Sequence, residues 1–120
     1  MLTNLFHVAL GGAFGSALRY LSLLAVPAPW GTFGVNVLGS FLIGLLFVPA
    51  GRIGLSPLLL TGMLGGFTTF SAFALDSARL WQAGQATQAA AYVAASVILS
   101  LIAVVAGASL FHLLAARGTL

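Results

Sequence analysis

Charge is almost absent from this sequence. Its 120 residues include four arginines and a single acid, Asp76, and no cysteine. Without cysteine, thiol and disulfide chemistry are excluded. One acid cannot supply a carboxylate dyad, and no nucleophile–base pair or cofactor fingerprint stands in its place. An enzyme is therefore not expected. The run Gly11-Gly12-Ala13-Phe14-Gly15 has no strand before it and lies inside an apolar stretch, so it is not a dinucleotide loop. The pI of about 10.8 comes from very few groups. It does not form the clustered basic patch that nucleic acid requires. His7 and His112 are isolated and make no metal site.

Apolar residues fill the rest. Hydrophobic residues are 61% of the chain and the mean hydropathy is +1.16. A soluble domain of this composition would aggregate, so the class is an all-α integral membrane protein. No alternating ten-residue strands suggest a barrel. A span needs about 20 mainly apolar residues. Residues 2–26, 31–50, 55–75 and 89–115 qualify, within one domain covering residues 1–120. Pro27 to Trp30, Gly51 to Gly54 and the polar run 82–88 separate them. Residues 2–26 are too long for a signal h-region and Arg19 interrupts them, so a retained helix is expected. Trp30, Trp81 and Tyr20 suit the interfacial aromatic belt.

Four spans place both termini on one side of the bilayer. Arg52 and Arg117 then share that side, and Arg19 and Arg79 lie opposite. Orientation normally follows an arginine and lysine excess in cytoplasmic loops, and here the count is tied. Two readings follow. Either so few charges leave orientation to other signals, or the chain inserts both ways and pairs antiparallel with itself. Four short helices hardly enclose a path alone, which favours a dimer.

The third span contains G-M-L-G-G-F-T-T-F-S-A-F, residues 62–73. Three glycines, two threonines and a serine weaken a helix where lipid offers freed backbone groups no partner. A break at a functional site is expected there. Thr32, Asn36 and Ser40 share one face of the second span, and Tyr92, Ser96 and Ser100 share one face of the fourth. Such groups often serve only as glue between helices or bond their own i−4 carbonyls. Two stripes, one containing the costly Asn36, point instead to a lined pathway. Hydroxyls and an amide without counter-charge suit a small, strongly hydrated anion. Phe70 and Phe73, three apart, are ordinary packing residues or offer it their electropositive ring edges. Arg19 either snorkels to the interface or forms a positive vestibule. Asp76 and Arg79 are expected to pair locally. Gly11/Gly15, Ser40/Gly44, Gly62/Gly66 and Ala103/Gly107 have close-packing spacing, which predicts a tight bundle.

These motifs carry a resemblance. G-G-A-F-G-S-A-L-R-Y (residues 11–20), G-T-F-G-V-N-V-L-G-S-F (31–41) and G-G-F-T-T-F-S-A-F (65–73) resemble the Fluc, or CrcB-type, fluoride channels. The match runs in order along the chain, and its third motif is the most specific. The resemblance implies an antiparallel dual-topology homodimer in the bacterial inner membrane, with two pores that passively export fluoride. It implies a structural sodium ion at the dimer centre, held by the backbone carbonyls of Gly65 and Thr68 of both subunits. It assigns Asn36, Phe70, Ser71, Phe73, Tyr92, Ser96 and Ser100 to the fluoride pathway and matches Arg19 to a motif arginine. Three positions depart from the family pattern: Ala72 replaces a threonine, Asp76 replaces a glutamate, and Val104 is apolar. Two alternatives compete. A small multidrug exporter needs an acid in the first span, and none is there. A non-transporting membrane scaffold would explain the small-residue spacings but neither stripe.

Overall fold

The computed structural model describes residues 1–118. It is all-helical, with no strand among the described residues. The elements in chain order are α1 (Leu2–Ala25), α2 (Trp30–Arg52), α3 (Pro57–Leu64, π-wound), the single turn α4 (Gly65–Phe67), α5 (Phe70–Gln82) and α6 (Ala86–Ala116). Among the described residues, four stretches are long and apolar enough to cross a membrane: α1, α2, Pro57–Gln82 and α6. The 31 residues of α6 would extend about 46 Å at 1.5 Å per residue, more than the ~30 Å hydrocarbon needs.

The connections are tight where the backbone is permissive. Gly54 and Gly84 adopt φ of +72° and +76°, a region that a Cβ disfavours. Because Gly84 turns the chain at once, the polar run expected as a loop over 82–88 is short. Gln82 still ends α5, and Thr87 and Gln88 belong to the first turn of α6.

Packing divides the molecule into two layers. α1 lies along α3 and α4, and α2 lies along α6, with α5 against α6. Small residues set both spacings. A Cβ at Gly15 would collide with the Met63 carbonyl, and one at Gly107 with the Phe41 carbonyl. Bare glycines let these backbones touch, as the small-residue spacing predicts. Much of the rest is apolar and exposed, including Leu10, Phe14, Leu21, Phe47 and Ile102. Such a surface suits lipid, where burial between helices gains little hydrophobic energy.

Between α4 and α5 the chain leaves helical geometry. Thr68 lies at φ −80°, ψ 157° and Thr69 at φ −153°, ψ 113°. The helix restarts with Thr69 as its cap, whose Oγ1 accepts the Ala72 N–H at 3.2 Å.

Candidate functional site

Two extended residues in a membrane-length segment must find hydrogen-bond partners away from water. Each helix alongside supplies one. Arg19 of α1 donates Nη1 to the Thr68 carbonyl at 2.9 Å. Asn36 of α2 faces Thr69: its Nδ2 donates to the Thr69 carbonyl at 3.0 Å, and its Oδ1 accepts the Thr69 N–H at 2.7 Å. That N–H thus goes to Asn36 instead of the carbonyl of Gly65, its i−4 partner in a helix. Thr68 Oγ1 bonds back to the Leu64 carbonyl at 3.0 Å.

An open cleft of about 390 Å³ runs beside this junction. Asn36, Gly65, Thr68, Phe70, Phe73, Ser96 and Ser100 are on its wall. Seven of the ten residues that the resemblance assigns to the site therefore meet in one place. The other three lie elsewhere. Ser71 is within 3.3 Å of Thr69 Oγ1, outside the cleft wall. Arg19 is engaged at the Thr68 carbonyl. Tyr92 is buried behind Phe73.

The phenylalanines differ in setting although they are three apart. Phe70 is 78% exposed and Phe73 only 8%. Their ring centroids are 5.2 Å apart, and the Phe73 ring continues onto Tyr92 at 5.6 Å. The three rings form a stack from the open surface to the interior. Behind it, the Tyr92 hydroxyl approaches Asp76 Oδ2 at 3.5 Å, a long contact, and Asp76 Oδ1 stands 3.9 Å from Arg79. The local Asp76–Arg79 pair thus has a buried third member. Asp76 itself is 5% exposed, which its place three residues before Arg79 does not reveal.

The stripes split by role. Ser40 Oγ bonds its own i−4 carbonyl, that of Asn36, at 2.7 Å, which is the glue arrangement. Ser96 Oγ is buried without a hydrogen-bond partner. Unpartnered buried hydroxyls are costly, and Ser96 is one of the residues that line the cleft. Among the described residues no group of three or more His, Cys, Asp or Glu side chains could hold a metal ion. The oxygen donors at the cleft are hydroxyls, the amide and backbone carbonyls.

Comparison with known proteins shows the family of this chain. The model of the CrcB-like protein, Camphor Resistance (CrcB) family matches residues 6–108. The chain belongs to the CrcB family. Among curated CrcB-type relatives, the fluoride-specific ion channel FluC of Cereibacter sphaeroides is 52% identical over 115 residues, covering 89% of this chain and 93% of that one. The protein of the same name from Paracoccus denitrificans is 52% identical over 115 residues with the same coverage. That of Rhizobium meliloti is 50% identical over 123 residues, covering 92% of this chain and 98% of its own. The family match, residues 6–108, includes every residue lining the cleft and the extended pair, and it reaches into all four membrane-length stretches.

Proposed function

We propose that this chain forms a fluoride-selective channel that passively exports fluoride and so lowers its concentration in the cytoplasm. The observation that carries the reading is the cleft. It gathers an amide, hydroxyls and two phenyl rings at a backbone break, and it contains no ionisable side chain. A small hydrated anion entering it exchanges water for neutral donors and ring edges without meeting a trapping counter-charge. The names of the close relatives agree. It acts as a channel, not as an enzyme. Neither the exporter nor the scaffold alternative gains support: no acid faces the cleft, and a scaffold has no use for it.

In this reading the extended pair Thr68–Thr69 breaks the third membrane helix functionally. Asn36, Phe70, Ser71, Phe73, Tyr92, Ser96 and Ser100 form the fluoride pathway, and Arg19 lends positive potential at its mouth. The exposed face of Phe70 is covered by a second, antiparallel copy, so two breaks meet at mid-membrane in the bacterial inner membrane. A sodium ion fits that junction chemically. The Gly65 carbonyl is released from its Thr69 partner, and the Thr68 carbonyl keeps one lone pair beyond the one Arg19 uses. Bound there, the ion supplies a fixed positive charge between the subunits.

The test is purified protein in liposomes, read with a fluoride electrode. Fluoride leaves rapidly and chloride far more slowly. Well-folded protein that releases no fluoride overturns the reading.

A further inference from the structure

The break is held from two sides by side chains of two different helices. Arg19 reaches it from α1 and Asn36 from α2. An extended residue offers its N–H and C=O side by side, and a carboxamide matches that pair in one orientation only. The two bonds between Asn36 and Thr69 therefore fix which way the amide faces. They also leave Asn36 a single free N–H for the cleft. The Arg19 guanidinium is not on the cleft wall and is committed to a backbone carbonyl.

Helical partners do not compete for the Thr68 carbonyl or the Thr69 N–H, whereas the Thr69 carbonyl, as that of the helix cap, also accepts the first bond within α5. The Ala72 N–H, which a continuous helix would give to the Thr68 carbonyl, goes to Thr69 Oγ1. The Thr69 N–H goes to Asn36. Removing either side chain leaves a polar backbone group unpaired at membrane depth, and the segment's cheapest response is to wind toward helix. Winding rotates every residue that follows, beginning with Phe70.

We propose that Arg19 and Asn36 are positioning residues, a two-sided latch that holds Thr68 and Thr69 extended and so sets where Phe70 presents its ring. This rests on the fluoride-channel reading for its effect on transport, but the latch itself is a backbone property and can be read without fluoride.

The experiment uses full-length protein in lipid nanodiscs, with amide exchange followed residue by residue by NMR and fluoride efflux measured on the same variants. Asn36→Ala is expected to speed exchange at Thr69 roughly fivefold or more, the loss of one buried hydrogen bond, while amides of α6 keep their protection. Efflux falls in parallel. Asn36→Asp keeps an acceptor for the Thr69 N–H and loses the donor to its carbonyl. Thr69 exchange then stays slow, while the isotope-edited infrared band of the Thr69 carbonyl moves to higher frequency. Arg19→Met shifts the Thr68 carbonyl band the same way, and Arg19→Lys, which retains a donor, restores part of it. Unchanged Thr69 exchange in Asn36→Ala, or an unmoved Thr69 carbonyl band in Asn36→Asp, overturns the latch. Faster Thr69 exchange with undiminished efflux overturns its role in positioning Phe70. Absence of fluoride efflux in the unmodified protein bears on the channel reading alone.

Discussion

The Phe73 ring stands 5.6 Å from the Tyr92 ring, tilted by 34°, and joins the exposed Phe70 to the protein interior. Phe73 is thus held on both sides, and its edge direction is set by its neighbours. An aromatic contact of this kind is worth ~0.5–1.5 kcal/mol beyond area burial. Phe73→Leu keeps the apolar volume and removes the ring edge. Fluoride efflux is expected to fall by roughly twofold to tenfold, with the elution volume on size-exclusion chromatography unchanged. Undiminished efflux would leave Phe73 a packing residue only.

Asn36→Asp places a fixed negative charge on the cleft wall beside Phe70. Like charges about 4 Å apart repel by several kcal/mol at the effective dielectric of a protein surface. Efflux at neutral pH is expected to drop at least tenfold, as read by the fluoride electrode. Unchanged throughput would remove Asn36 from the pathway.

Thorough removal of sodium from both sides of the liposomes is expected to abolish efflux, and its return to restore it. Potassium at the same ionic strength serves as the control. Sodium-indifferent flux would take Gly65 and Thr68 off the list of ion ligands.

The absence of native cysteine makes orientation measurable with one substitution. Gln85 is exposed in the turn before α6, and Gln85→Cys gives a single thiol. A membrane-impermeant maleimide applied to intact cells is expected to label about half the protein, as equal insertion in both directions requires. Labelling of all or none would establish a single orientation and end the antiparallel reading.

Gly107→Ala tests the packing. Its Cβ would collide with the Phe41 carbonyl, so α2 and α6 must separate. Overpacking of this kind costs ~1–3 kcal/mol, and the thermal midpoint of the detergent-solubilised protein is expected to fall by several degrees. Gly34→Ala meets open space and serves as the control.

Much of this protein is legible in its residues. Low charge and long apolar runs determine a four-span helical membrane protein, because lipid permits few other structures. The small-residue spacings at Gly11/Gly15 and Ala103/Gly107 announce close backbone contact, because helical periodicity alone puts such residues on one stripe. The motif at residues 62–73 marks the place where the third segment departs from helix, because glycine and hydroxyl residues weaken it locally. Tertiary structure decided what the residues at that place do. Asn36 and Arg19 are 33 and 49 residues from their backbone partners, and no periodicity connects them. Phe70 and Phe73 share a spacing but not an environment, since burial depends on which helix lies opposite. Asp76 reads as half of a local pair with Arg79, yet α6 brings Tyr92 against it. Local pattern governs which segments form and which face is polar. Only the packing of α1, α2 and α6 around Thr68 and Thr69 determines which polar groups hold the backbone and which remain free to meet an ion.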